Sequence, residues 1–248
     1  MRAPRIHIDA ELGPDRELNL PEGAARHLSR ALRLQLGDPV VCFNGRGGEY
    51  HGEITAIARS EVRVQLRDYL ARENESPLDI VLVQGVSRGD RMDYAVQKAV
   101  ELGVRAIVPV ITERSVVQLK GERAERRQGH WQRVSIGACE QCGRNRVPQI
   151  TEPVGLAHWL QGWEGGVGLL LSPRGAVSLS GLSAPTGPIT LLIGPEGGLS
   201  TAEERLALER GFTAVQLGPR ILRTETAAVA MLAALQTRWG VFAAVNDG

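Results

Sequence analysis

Ile189-Thr190-Leu191-Leu192-Ile193-Gly194-Pro195-Glu196-Gly197-Gly198-Leu199-Ser200 is a near-continuous apolar run that breaks at a glycine-rich turn and leads into Thr201-Ala202-Glu203-Glu204. A strand apolar on both of its faces is one buried on both faces, which is the condition of a parallel sheet covered by helices. The glycines let backbone amides approach a ligand closely, Pro195 stiffens the turn, and Ser200 with Glu203 fits a capping box at the start of the next helix. No Gly-Lys-Ser/Thr follows and the spacing is not Gly-x-Gly-x-x-Gly, so neither common phosphate-loop pattern applies. On its own the loop could hold a ligand or simply turn the chain.

Outward from this stretch, apolar runs alternate with helical patterns. Strands are predicted at 79–84, 105–110, 167–171, 189–193 and 213–217, and helices at 90–102, 122–141, 201–210 and 225–238. That alternation predicts an α/β parallel sheet. Open parallel sheets bind ligands beyond the carboxyl ends of their strands, so the loops after Ile193 and Leu217 are where chemistry is expected. The second loop reads Leu217-Gly218-Pro219-Arg220-Ile221-Leu222-Arg223-Thr224-Glu225-Thr226-Ala227-Ala228 and enters an alanine-rich helix that Thr224 or Thr226 could cap. Arg220 and Arg223 flank an apolar pair. Either they pair with Glu225 or Glu196, or Ile221 and Leu222 line an adenine pocket while Arg223 points toward charge developing in a reaction.

The first seventy residues have a different grammar. Short β-branched runs at 40–43, 50–57 and 62–66 are separated by turns such as Asn44-Gly45-Arg46-Gly47-Gly48, the pattern of a small β-barrel. A helix opened by Pro21 interrupts them and is expected to reach about Leu34. Residues 71–77 are polar and aperiodic, which places a domain boundary at 72/73. The resulting domains are 1–72 and 73–248.

The chain has 248 residues, 43% of them hydrophobic, enough for a real core and against a disordered or fibrous protein. No run approaches the ~18 apolar residues of a membrane span, and the start lacks the apolar core of a signal peptide, so a cytoplasmic location and no membrane association are expected. Residues 77–150 hold twelve basic against eight acidic side chains, whereas the segments on either side carry a small acidic excess. Lysine occurs only at Lys98 and Lys120. Arginine suits phosphate contacts and base stacking, so Arg88, Arg91 and Lys98, and the cluster Gln141, Arg144, Asn145 and Arg146, are candidate RNA contacts. Arg26, Arg30 and Arg33 fall at helical spacing in the first domain, with Arg2 and Arg5 near its first strand. Cys139 and Cys142 have Cys-x-x-Cys spacing but no second ligand pair, so no metal is expected.

The two loops, in this order and spacing, resemble the carboxyl-terminal signature of the SPOUT methyltransferase superfamily. The likeness is closer to its RsmE branch, carried by Leu192 to Gly198, Leu217 to Ala227, Ser87-Arg88-Gly89, Gln97-Lys98-Ala99-Val100-Glu101-Leu102-Gly103 and Glu140-Gln141-Cys142-Gly143-Arg144. The resemblance implies a trefoil-knotted parallel-sheet methyltransferase domain after a PUA-like RNA-binding β-barrel, working as a homodimer. It implies transfer from S-adenosylmethionine to N3 of a uridine in 16S ribosomal RNA of the small ribosomal subunit. It places the cofactor against Leu171, Ser172, Ile193, Gly194, Pro195, Glu196, Gly197, Gly198, Leu217, Gly218, Ile221, Leu222, Arg223 and Thr226. Uridine N3 must lose a proton, putting charge on the ring oxygens. Arg223 is the candidate to stabilise it, and Glu196 or Glu225 the candidate to take the proton, since no histidine falls in either loop. Methylation of another RNA position, such as a ribose 2′-hydroxyl, and a non-catalytic RNA-binding role are the rival readings.

Overall fold

The computed structural model describes residues 3–26, 34–58, 61–117 and 119–243. The chain divides into two units, Met1–Glu75 with Cys139–Val147, and Ser76–Ala138 with Pro148–Gly248. A cut at 72/73 does not anticipate the second piece of the first unit.

In the first unit, strands β1 (Arg5–His7), β2 (Glu17–Asn19), β3 (Pro39–Phe43), β4 (Glu49–Ile57) and β5 (Val62–Leu70) form one curled sheet in the order β1-β3-β4-β5-β2. β1 runs parallel to β3 and the other pairings are antiparallel. Alternation is clearest in β5, where Val62, Val64 and Leu66 are buried with Ile6, Val40, Cys42 and Ile54 while Arg63 and Arg67 face out. β4 carries register shifts near Gly52, and a Cβ there would stand 2.5 Å from the Gln65 carbonyl oxygen, so only glycine lets the strands close. The helix expected after Pro21 is seen as α1 (Glu22–Arg26). Arg2, His27, Arg30 and Arg33 lie outside the described residues.

The second unit is built on an all-parallel sheet in the order β11-β13-β10-β12-β6-β7-β8, with β9 also on β7. Its strands are β6 (Ile80–Gly85), β7 (Ala106–Ile111), β8 (Gln149–Ile150), β9 (Val154–Gly155), β10 (Val167–Leu171), β11 (Val177–Ser178), β12 (Ile189–Ile193) and β13 (Thr213–Gln216). β12 is central and all five of its residues are buried, as its apolar run requires. One face packs Val83, Val110, Leu170 and Leu192 against α4 (Leu156–Gln161) and α5 (Thr201–Glu209), with the Trp163 ring tilted against Phe212 at a centroid distance of 4.5 Å. Helices α2 (Asp90–Glu101) and α6 (Thr224–Trp239) pack on each other, α2 burying Met92, Ala95, Val96, Ala99 and Val100 at i, i+3, i+4, i+7, i+8. Helix α3 (Glu122–Cys142) begins in this unit, and its last turn belongs to the first.

The connection after β13 passes over the carboxyl end of β10 to reach β12, where Thr224 meets Gly194.

Candidate active site

Two loops at the carboxyl ends of β12 and β13 build a cleft of about 740 Å³ in the second unit. The first loop can lie where it does because of Gly85 at the end of β6. A Cβ there would stand 2.7 Å from the Gly194 carbonyl carbon and collide with Pro195. Gly198 takes a positive φ of 67°, which closes the turn before Ser200. The capping box forms as expected: the Glu203 amide donates to Ser200 Oγ at 3.2 Å, and the Ser200 amide donates to Glu203 Oε2 at 2.9 Å. Glu203 also accepts the Glu113 amide at 2.8 Å, tying the start of α5 to the segment after β7.

The loops are clamped together by a buried relay. Thr224 Oγ1 donates to the Gly194 carbonyl at 2.7 Å and accepts from Gln84 Nε2 at 2.9 Å. Gln84 is only 1% exposed. Neither Thr224 nor Thr226 caps α6; Arg223 occupies the N-cap with no side-chain cap bond, because the Thr224 hydroxyl is already committed to Gly194.

Leu171, Ile193, Leu199, Leu217 and Leu222 give the cleft apolar walls, and backbone of Gly194, Gly197, Gly198 and Gly218 completes it. Ser172, Pro195, Glu196, Ile221, Arg223 and Glu225 also line it. Thr226 does not; it faces a neighbouring depression with Ser178, Leu179 and Ala230. Ile221 lies at the rim and is 83% exposed, so in the single chain it is not an enclosed adenine contact. Sequence reasoning passed over Arg114, Arg174 and Glu204. Arg114 Nη1 donates to the Gly197 carbonyl at 3.2 Å, and Arg174 pairs with Glu204 at 3.0 Å while Ser172 Oγ donates to the same carboxylate at 3.4 Å. No local motif marks these residues, because each reaches the cleft from a different segment, Arg114 and Arg174 from separate loops and Glu204 from the first turn of α5.

The two candidate carboxylates have unlike surroundings. Burial alone would raise the Glu196 carboxyl, but the Arg88 amide at 2.9 Å, its own backbone amide and Arg91 Nη1 at 3.1 Å outweigh it and hold the group below the usual carboxylate range. A carboxylate so stabilised is a weak proton acceptor, and its oxygens brace the loop. Glu196 therefore pairs with Arg91, not with Arg220 or Arg223. Glu225 differs: its Oε2 is buried and has no hydrogen-bond partner among the described residues. Arg223 stands exposed beside it at the first turn of α6.

Comparison with known proteins agrees with this geometry. A family profile described as an RNA methyltransferase domain matches residues 74–236, and one described as an RNA methyltransferase PUA domain matches residues 20–67. Ribosomal RNA small subunit methyltransferase E of Buchnera aphidicola (subsp. Schizaphis graminum) is 33% identical over 240 residues, covering 96% of this chain and 98% of its own. The chain belongs to the ribosomal RNA small subunit methyltransferase E family. A family member from Neisseria gonorrhoeae, solved bound to S-adenosyl methionine, superimposes with a TM-score of 0.91 at 40% identity over 97% of this chain and 100% of its own. A Legionella pneumophila methyltransferase solved with SAM bound gives 0.93 at 38% identity, over 97% and 99%. The fold is thus that of SPOUT methyltransferases with a PUA-like unit, and the protein is an RNA methyltransferase.

Within this member of the methyltransferase E family, the residues offered as RNA contacts fall into two groups. Arg88, Arg91 and Gln141 are exposed, and Arg146 is exposed with a loose 3.6 Å pair to Glu73. Lys98 is half-buried, bonded to Glu101 at 2.7 Å and set over the Tyr94 ring, as an ordinary helix pair would be. Arg5, Arg144 and Asn145 are instead tied into side-chain bonds within the first unit. Arg5 donates to Glu49 at 2.5 Å and to Asn145 Oδ1 at 2.5 Å, Asn145 Nδ2 donates to the Arg72 carbonyl at 2.7 Å, and Arg144 forks onto Glu75. All three are buried in the first unit, where charge without such partners would be costly. Glu49 is correspondingly held low: burial raises it, but Arg5 and Asn145 lower it further. Cys139 is buried and bonds the Arg146 carbonyl, and no group of three or more His, Cys, Asp or Glu side chains among the described residues is placed to hold a metal. No helix among them is long and apolar enough to cross a membrane.

Proposed function

We propose that the protein methylates N3 of a uridine in 16S ribosomal RNA of the small subunit, in the cytoplasm, with S-adenosylmethionine as donor. The observation that carries this reading is the cleft itself: two glycine-bearing loops locked by the Gln84–Thr224–Gly194 relay, with an exposed guanidinium and an unpartnered carboxylate at one edge.

The residues fit an adenosine with an amino-acid tail. Leu171, Ile193, Leu217 and Leu222 suit an apolar ring face, and loop amides suit its polar edges. At Gly218, with φ of 71°, an added Cβ would meet nothing within 4 Å, so the backbone there is open to a ligand. Bound in the cleft, the donor supplies a methyl group on a positively charged sulfur, ready for in-line transfer to a nucleophile. The protein's part is alignment and activation of N3. Glu225 Oε2 accepts the N3 proton, the N3 electron pair would form the new bond to the methyl carbon as the carbon–sulfur bond breaks and leaves its electrons on sulfur, and Arg223 donates to the uracil oxygen that gains charge. Glu196 holds the first loop through Arg88 and Arg91 and takes no proton.

A homodimer completes the reading. Thr226, Ala230, Ala233 and Thr237 give α6 a face of small side chains that is not fully buried, and Ile221, Val241 and Phe242 are exposed beside the same helix or its preceding loop. Light scattering at an enzymatically active concentration tests the dimer.

The activity is tested by incubating the purified chain with S-adenosylmethionine and small subunits from a strain lacking this enzyme, then analysing nucleosides. Base-methylated 3-methyluridine is expected. Ribose methylation, or donor binding without any methyl transfer, would reject the assignment.

A further inference from the structure

Helix α3 carries a basic face that the cleft does not use. At 3.6 residues per turn, Arg123, Arg126, Arg127, His130, Arg133 and Gly137 share one side of it. The opposite side is buried through Ala124, Trp131, Ser135 and Ala138. Arg123, Arg127 and Arg133 are exposed and make no hydrogen bond or ion pair with another described residue, while Arg126 is held within its own helix, its Nε donating to the Glu122 carbonyl at 3.3 Å and its Nη2 pairing with the Glu122 carboxylate at 3.6 Å. Past Glu125 the helix has no carboxylate until Glu140, although the chain as a whole is nearly balanced in charge. Asp93 of α2 touches this face only at His130, 2.7 Å away.

A second feature is independent of charge. Gly137 sits on the same face in mid-helix, where an added Cβ would stand in open space, so neither packing nor backbone strain calls for glycine. Glycine in a helix interior is unfavourable relative to alanine, and a surface that keeps one leaves its backbone open to close approach. Along the helix axis the backbone positions of Arg123 and Arg127 are about 6 Å apart and those of Arg123 and Arg133 about 15 Å apart, a spread that suits a run of successive phosphates better than one anion.

We propose that this face of α3 is a track for the RNA phosphate backbone, a docking surface distinct from the methyl-transfer cleft. The inference rests on the reading that RNA is the substrate. It is tested in the full-length protein with the triple variant Arg123→Gln, Arg127→Gln, Arg133→Gln and its all-lysine counterpart. Binding to a 16S ribosomal RNA transcript is measured from 50 to 200 mM salt. Loss of three phosphate contacts should lower the slope of log affinity against log salt by about 2, and the lysine variant should keep it. KM for RNA should rise about tenfold or more with kcat retained at saturating RNA, and unfolding temperature and S-adenosylmethionine affinity should match wild type. An unchanged slope and KM, in a wild type that binds and methylates RNA, overturns the track alone. A KM that rises on assembled subunits but not on naked transcript also overturns it, in favour of a ribosomal protein as occupant. A wild type that neither binds nor methylates the transcript or the subunit overturns the functional reading together with the track.

Discussion

Replacing Thr224 by valine keeps the side-chain outline and removes one hydroxyl, yet that hydroxyl is the joint between β6, the Gly194 loop and α6. Its loss strips a 2.7 Å bond from the Gly194 carbonyl and takes the acceptor from Gln84 Nε2, whose remaining bond is a 3.2 Å contact to the Gly85 carbonyl. Gln84 Oε1 is already unpartnered, so the variant leaves a buried amide poorly satisfied at both ends. A buried donor without its acceptor costs about 1–3 kcal/mol and a half-buried carbonyl about 1 kcal/mol, for a total near 2–4 kcal/mol. For a chain of this size that is a fall in unfolding temperature of about 4–16 °C. The Gly194 loop, no longer clamped, would hold its binding shape only part of the time; if that fraction drops to about a tenth, apparent S-adenosylmethionine affinity drops about tenfold. Calorimetry on wild type, Thr224→Val, Gln84→Leu and the double variant separates the terms. Gln84→Leu removes the amide but leaves the Thr224–Gly194 bond, so it should retain donor affinity, and the two changes together should be non-additive by more than about 0.5 kcal/mol. If Thr224→Val binds donor within twofold of wild type and unfolds within about 1 °C of it, the relay does not shape the cleft.

Other expectations follow from the same geometry. Arg223→Ala should lower single-turnover methylation about a hundred- to a thousandfold at saturating RNA and donor, with donor affinity nearly unchanged; a rate within a few-fold of wild type removes its charge-stabilising role. Because the folded Glu196 carboxyl sits below its ordinary value, its contribution to stability is full above about pH 4.5 and is lost as pH falls through the lowered value. The stability gap between wild type and Glu196→Gln, followed by denaturant titration, should therefore be constant from pH 7 to about 5 and close below pH 4.5, and a gap that widens on acidification contradicts the bracing role. Burial pushes the Cys42 and Cys139 thiols up to about 12, so at pH 8 an alkylating reagent read by mass spectrometry should label Cys142 first; Cys139 labelled as fast as in denaturant would show that the last turn of α3 opens freely.

Buried parallel strands announce themselves, which is why β6, β7, β10, β12 and β13, with helices α2, α3, α5 and α6, are legible within a residue or two. Each needs a run long enough to show its pattern. The two-residue β8, β9 and β11, the three-residue β2 and the six-residue α4 carry too few positions to display a period, and none was anticipated. The loops of the cleft were legible because glycine and proline mark them directly. What those loops do with their carboxylates was not: Glu196 and Glu225 look alike in sequence, and they are told apart by an amide 108 positions away that reaches only one of them. The same limit explains Arg5, Arg144 and Asn145. In sequence they are polar donors of the kind that meet RNA. Their partners, Glu49 and Glu75, lie from 44 to 96 positions away, and long-range pairing converts candidate ligands into buried framework. Where no such partner arrives, as at Arg123, Arg127 and Arg133, the side chain keeps its charge exposed. Residue type therefore names a pool of possible contacts, and burial with charge pairing decides which of them remain available to an RNA chain.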